Sequence, residues 1–326
     1  MKKFLSLLMV CCMLFSLSAC DGGEKKEESK PLNQTSSQPT VQEETKGISA
    51  VVCFGDSITE GMGMTDSERY PSVLGDYLEN QYRVLNAGVG GETSFTISAR
   101  ANAVEFTVSQ EMVFDVGVKE IVSHEKIFKG INKEEVRFRY SFMGHELSIT
   151  KPIIDGKPYT MRYEPNGKYI LCRDNADTKL VIPVGAKIKF DYSSFYDNLY
   201  CAVVLMGAND GGVVPVYELI NRYKKISETA DNFIAIIPFH GNDCSDAFVS
   251  EFGNKCINLR EYFKKAVFED YNIEFTEQDR RDIISGEIPV RFTYNNRHKE
   301  VHLNSFGYKI MADLVYKKGV ELGYWK

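Results

Sequence analysis

One serine and one histidine in this chain have surroundings that suit nucleophilic chemistry. Ser57 lies in Phe54-Gly55-Asp56-Ser57-Ile58-Thr59-Glu60-Gly61, directly after a short apolar run. His302 lies near the C-terminus in Glu300-Val301-His302-Leu303-Asn304-Ser305-Phe306-Gly307-Tyr308. A serine hydroxyl is a poor nucleophile until a base takes its proton, and an imidazole is the natural base. Two more polar, glycine-bearing turns follow apolar runs: Asn86-Ala87-Gly88-Val89-Gly90-Gly91-Glu92-Thr93-Ser94 and Gly207-Ala208-Asn209-Asp210. Backbone amides and an asparagine side chain in such turns can stabilise the charge that develops on a carbonyl oxygen under attack.

Each feature also has a plainer reading. Gly-Asp-Ser ahead of an apolar stretch is good helix-capping chemistry, and Asp56 reads as a hydrogen-bonder of the turn rather than a catalyst. Gly88-Val89-Gly90-Gly91 lacks a full G-x-G-x-x-G and has no acidic residue placed for a ribose, so a dinucleotide loop is discounted. His298 and His302 are four apart, but no H-E-x-x-H is present and residues 289–297 do not read as helix, so no metal is expected. His240, with Asp243 nearby, reads as a solvated loop histidine, and His124 and His145 as exposed ones.

The elements that must carry these residues follow from hydrophobic patterning. Residues 48–54 read as a buried strand, 67–81 as a helix and 83–87 as a second strand. Strand, helix, strand is the pattern of a parallel α/β sheet, whose functional groups gather at the carboxyl ends of its strands. From 102 to about 195 the pattern changes to β-branched and aromatic runs: 103–108, 136–142, 159–163, 169–172, 179–183 and 187–192. Tight turns are expected at Asp155-Gly156, Asn166-Gly167 and Gly185. The aromatics Tyr159, Tyr163, Tyr169, Tyr192, Phe195 and Tyr196 read as β core rather than a sugar-binding platform. The α/β pattern returns with strands over 199–206, 233–238 and 256–259 and helices over 216–229, 259–268 and 305–322. The body therefore reads as one α/β domain (48–101 and 197–326) with an all-β insertion over 102–196.

The four polar blocks, in this order, resemble the SGNH, or GDSL, hydrolase family. The resemblance covers about 48–100 and 198–326. It implies a flavodoxin-like three-layer α/β/α sandwich with a parallel sheet, and a serine ester hydrolase working through an acyl-enzyme. Ser57 would be the nucleophile and His302 the base. The oxyanion hole would be Ser57 N–H, Gly91 N–H and the Asn209 side chain, with no metal or organic cofactor. Family members cleave acetyl groups from carbohydrates, fatty-acyl esters and thioesters. One position departs from the family. The aspartate usually found three residues before the histidine is Lys299 here. Glu300 is adjacent, but along an extended segment neighbouring side chains point to opposite sides, so Glu300 is expected to face away. A backbone carbonyl could orient the ring, leaving a Ser–His dyad, or an acid such as Asp279 or Asp282 could. The departure keeps open a non-catalytic, glycan-binding lipoprotein on the same scaffold.

Composition narrows the setting. The 326 residues carry a formal charge of −6, which argues against a nucleic-acid partner, and 43% are hydrophobic, enough for a real core. Lys2 and Lys3 followed by an apolar run from Phe4 to Leu17 read as an export signal. It ends in Leu17-Ser18-Ala19-Cys20, like a bacterial lipobox, so Cys20 is expected to be lipidated and to anchor the protein to a membrane of the cell envelope. Residues 21–47 are polar and charged, with almost nothing to bury, and read as a flexible tether. Of the eight cysteines, Cys53 and Cys201 lie in apolar runs and read as core thiols, while Cys244 and Cys256 could bridge in an oxidising compartment. A small-molecule or glycan ester is the expected substrate.

Overall fold

The computed structural model describes residues 49–79, 81–123, 128–130, 151–163, 169–193, 195–240 and 243–326. The export signal, Cys20 and the tether lie outside them, as do the strand expected over 136–142, the Asn166-Gly167 turn, His124 and His145. The chain runs β1 (Ala50–Gly55), α1 (Ser57–Glu60), α2 (Tyr70–Tyr77), β2 (Arg83–Gly88) and α3 (Ser94–Arg100). A β-rich stretch follows: β3 (Phe106–Val108), β4 (Met112–Phe114), β5 (Glu120–Ser123), β6 (Phe128–Gly130), β7 (Pro152–Ile154), β8 (Lys157–Pro158), β9 (Thr160–Tyr163), β10 (Tyr169–Cys172), β11 (Leu180–Ile182) and β12 (Lys187–Phe190). The chain then returns with β13 (Leu199–Leu205), α4 (Val216–Ser227), β14 (Asn232–Ile236), α5 (Ser245–Phe252), β15 (Cys256–Ile257), α6 (Leu259–Lys264), α7 (Ala266–Asp270), α8 (Glu277–Ile284) and α9 (Ser305–Glu321).

The central sheet has the order β2-β1-β13-β14-β15, with every pairing parallel. Without the β-rich stretch this is the flavodoxin-like order 2-1-3-4-5. The order reverses between β1 and β13, and in such sheets ligands bind outside the carboxyl ends of the strands at that point. The sheet is covered on both faces. Val51, Cys53, Cys201 and Val203 pack with Leu74 of α2 and Ile310, Met311 and Val315 of α9. Ala50, Val52, Phe54, Ala202 and Val204 pack with Leu219 and Tyr223 of α4 and Phe248 of α5. A strand buried on both faces needs an unbroken apolar run rather than alternation, which is what β1 and β13 show. The result is the three-layer α/β/α sandwich expected.

Some elements differ from the patterning. The helix expected over 67–81 is trimmed to α2, because Pro71 occupies its first turn and the chain leaves the helix at Leu78. The single helix expected over 259–268 is split at Lys265, whose backbone (φ −146°) is not helical. Helices α5 and α8 had no signal. In α8, Glu277–Ile284, the apolar residues come only at the end, and a capping box between Thr276 and Asp279 starts the helix.

The β-rich region is antiparallel, with sheets β6-β3-β12-β7-β8, β5-β10-β9 and β4-β11. Asp155 and Gly156 both have positive φ (45° and 75°), the geometry of a tight two-residue hairpin. Phe106, Phe114, Tyr159, Tyr169, Ile188 and Phe190 form its core together with Phe95 and Ala99 of α3. Tyr159 and Tyr169 are therefore core residues, and Tyr192, Phe195 and Tyr196 pack at the margin of the α/β core. The side chain of Tyr163 lies outside the described residues. The Asn102 side chain stitches the join, donating to Phe190 O (2.9 Å) and accepting from Phe190 N–H (2.8 Å). All described cysteines are free thiols, so Cys244 and Cys256 do not bridge. Among the described residues no helix is long and apolar enough to cross a membrane.

Candidate active site

The nucleophile's position begins with Gly55, the last residue of β1. A Cβ there would lie 2.0 Å from Thr59 Oγ1 and 2.6 Å from Leu205 O, so only glycine lets the strand end meet α1 and β13 this closely. Asp56 then caps α1, its Oδ1 accepting the Ile58 N–H at 3.0 Å. Its complete burial pushes its carboxyl up to about 7 despite that bond. Ser57 is the first residue of the helix and is nearly buried. The capping and nucleophile readings thus fall on adjacent residues rather than competing for one.

His302 arrives from the far end of the chain. Its Nε2 stands 2.8 Å from Ser57 Oγ, and its Nδ1 stands 2.8 Å from Glu300 Oε1. A carboxylate only accepts, so Nδ1 carries the proton and Nε2 is left to accept from the serine hydroxyl. This corrects the expectation that Glu300 faces away, and the acid at the ring is Glu300 rather than Asp279 or Asp282. Glu300 and His302 are two apart, a spacing that puts the side chains of an extended segment on one face, and Lys299 just before them has φ +58°. The Glu300 side chain then folds back over its own backbone, and Oε1 also accepts Val301 N–H (3.0 Å) and His302 N–H (3.1 Å). Partial burial opposes ionisation of Glu300, but the bonds from the His302 amide and imidazole and from the Val301 amide outweigh it and hold the carboxyl below its ordinary range.

The other acids considered have separate work. Asp279 caps α8 and pairs with Arg291 (3.0 Å), and Asp282 accepts Val290 N–H (2.9 Å) and the Gln278 amide (2.6 Å). His298 Nδ1 faces Glu287 (3.2 Å) and Asp282 (3.5 Å). His240 is also placed differently from expectation. It is half-buried rather than solvated, with Nε2 2.9 Å from Val301 O, and burial pushes its pKa down to about 4. It therefore stays neutral and donates to the carbonyl between Glu300 and His302. Beside Glu300 a cavity of about 180 Å³ is lined by His240, Arg260, Glu287 and Lys299 among others.

The polar loops complete the arrangement. A Cβ on Gly88 would fall 2.1 Å from Glu60 N, and one on Gly90 would fall 3.6 Å from Ser57 Cβ. Gly88 thus serves close backbone approach between the end of β2 and α1. Gly91 adopts φ +75°, a left-handed conformation suited to glycine. Asn209 follows β13 and donates through Nδ2 to Glu92 O (3.0 Å), so its amide is held beside the same loop. Asp210 bonds Ser94 N–H (2.9 Å) and Ser94 Oγ (2.6 Å), and Arg222 Nη1 donates to Ser94 Oγ (2.7 Å). The loop after β13 is thereby tied to the start of α3. At the other end of the loop, the fully buried Arg100 pairs with Glu92 (2.8 Å) and donates to Ala87 O (2.7 Å). Burial pushes the Glu92 carboxyl up to about 7 against the pull of Arg100.

The structure therefore gathers Ser57 and His302, with Gly91 and Asn209 on the loops beside them. The sequence reading missed Glu300 as the ring's partner, and Asp210, Glu92 and Arg100 as the loop's supports. The available signal for Glu300 was its spacing of two from His302, which puts both side chains on one face of an extended segment.

No family model and no curated protein matches the chain. Solved structures similar to it include the lipase/acylhydrolase from Enterococcus faecalis (15% identity, covering 83% of this chain and 95% of that one, TM-score 0.35). A member of the lipolytic protein G-D-S-L family from Veillonella parvula DSM 2008 is similar at 14% identity, 83% and 96% coverage and TM-score 0.33. A carbohydrate acetylesterase family member from Sinorhizobium meliloti is similar at 12% identity, 85% and 100% coverage and TM-score 0.34. The chemistry proposed below rests on the geometry of the site itself.

Proposed function

We propose that this protein is a serine ester hydrolase of SGNH type. The observation that carries the reading is the continuous relay from Glu300 through His302 to Ser57, with both contacts at 2.8 Å. His302 Nε2 takes the Ser57 proton as Oγ attacks the ester carbonyl. Glu300 keeps the proton on Nδ1 and stabilises the imidazolium that forms. Ser57 N–H, Gly91 N–H and the Asn209 amide receive the oxyanion. His302 returns the proton to the leaving alcohol, and the resulting acyl-enzyme is opened by a water activated in the same way. Each of these steps is carried by the chain's own residues.

The substrate proposed is a short-acyl ester, foremost an acetyl group on a carbohydrate. Around Ser57 stand Gly90, Gly91, Asn209 and His302, which are small or polar and suit a small acyl group and a hydroxyl-rich alcohol better than a long alkyl chain. The protein is further proposed to be exported and lipid-anchored at Cys20, its catalytic body held off the membrane by residues 21–47. The lipobox-like Leu17-Ser18-Ala19-Cys20 and the polar composition of the tether support this. Labelling by a radioactive fatty acid that survives in Cys20→Ser would overturn it.

The direct test is hydrolysis of p-nitrophenyl acetate. Ser57→Ala is expected to reduce kcat/KM by at least about 10³-fold, since loss of a nucleophile leaves only binding and oxyanion contributions. Equal rates for wild type and variant would sink the enzyme reading. A panel in which long-chain esters outrun acetyl esters would replace the carbohydrate reading with a lipid-esterase one.

A further inference from the structure

The loop that carries Gly91 is tied at both ends, by Val89 N–H to Gly55 O (3.0 Å) and by Glu92 to Arg100 (2.8 Å). Between these ties it is held from α1. Glu60 lies three residues after Ser57 on that helix and is 1% exposed. Its Oε2 accepts the Gly90 N–H at 2.7 Å, at the short end for an amide donor and as a carboxylate acceptor favours. A Cβ on Gly90 would lie 2.7 Å from the same oxygen, so a larger residue there would push the Glu60 carboxyl aside. The next peptide unit is planar and contains Gly91 N–H. Two peptide units further on, Asn209 Nδ2 holds Glu92 O at 3.0 Å. Gly91 N–H is thus bracketed by a carboxylate on one side and the Asn209 amide on the other. Burying a carboxylate is unfavourable unless donors compensate, and an apolar side chain would fill this space without that cost if packing were the only requirement.

We infer that Glu60 is a positioning residue for the oxyanion hole, one that aims Gly91 N–H by holding Gly90 N–H. The inference rests on the ester-hydrolase reading above. Glu60 acts through the loop and does not touch the substrate. Transition-state stabilisation depends on donors already aimed at the developing charge, so releasing the loop costs rate more than substrate affinity.

The test compares Glu60→Gln, which keeps a side-chain oxygen as acceptor, with Glu60→Met, which has none, using p-nitrophenyl acetate. Glu60→Met is expected to lower kcat about 10²-fold with KM within about threefold, and Glu60→Gln to stay within about tenfold of wild type, the scale on which single oxyanion donors act. The pH at which kcat/KM reaches half its plateau should not move, because the Glu300–His302 pair is untouched. Wild-type kcat in Glu60→Met, a loss that falls on KM, or equal damage in both variants would overturn the inference. If Glu60→Met fails to show a cooperative melt, Glu60→Asp replaces it. Its carboxylate is withdrawn by one methylene, and it should lose kcat where Glu60→Gln retains it; the reverse order overturns the inference. An inactive wild type would refute the ester-hydrolase reading. An active wild type that Ser57→Ala silences and Glu60→Met leaves unimpaired would refute this inference alone.

Discussion

The two halves of the candidate site are built on opposite plans. The nucleophile half is built on close backbone approach: Gly55 lets β1 meet β13 and Gly88 lets β2 meet α1 at distances a Cβ would forbid, and Asp56 and Glu60 are buried within it. The base half is a short irregular segment at the surface. Lys299 is left-handed, Glu300 and His302 are partly exposed, the Glu300 carboxylate holds the Val301 and His302 amides, and His240 holds the Val301 carbonyl between them. The difference fits the demands on each half. An oxyanion hole works by not moving during the reaction, whereas a base needs an orienting partner and room for its proton to come and go.

Three experiments would break or sharpen this contrast. The largest effect is expected in the base half. Glu300→Gln should lower kcat roughly 10²–10⁴-fold, the range for losing the acid of a triad, because a neutral amide neither fixes the tautomer nor stabilises the imidazolium. Activity within a few-fold of wild type would mean that backbone contacts alone orient His302, and that a dyad suffices. In the nucleophile half, Asn209→Ala should cost about 10²–10³-fold in kcat with little change in KM. If KM rises instead and kcat holds, Asn209 binds the ground state and the oxyanion assignment fails.

The smallest effect concerns stability. His240 has its pKa depressed from 6.5 to about 4 by burial. Between those values the unfolded chain binds a proton that the folded chain does not, so stability falls as pH drops from about 6.5 to about 4. His240→Gln removes this contribution. Its melting temperature should fall less steeply than wild type across that window; parallel curves would show that His240 titrates as it does in solution.

Much of the scaffold was legible because burial leaves a mark in composition. β1 and β13 are covered on both faces and therefore read as unbroken apolar runs, and the polar turns after them marked the strand ends. α8 was not legible, since its start is set by a capping box and its sequence is mostly charged. Nor was the break at Lys265 between α6 and α7, which no glycine or proline announces. Tyr159 and Tyr169 were read as core and lie in it, whereas the half-burial of His240 depends on Val301, distant in sequence, passing over it.

The sequence by itself determined the kind of fold, the order of its polar blocks and the identity of the serine and histidine that meet. Those features rest on local periodicity, glycine placement and residue chemistry, all of which can be read within a few positions. Only the tertiary structure decided the third member of the relay and the supports of the loop. Whether Glu300 meets His302 depends on its side chain folding back onto the Val301 and His302 amides, a contact that residue type alone does not declare. Whether Glu60 reaches Gly90 depends on β1 and β2 lying side by side, a pairing between segments that share no local signal.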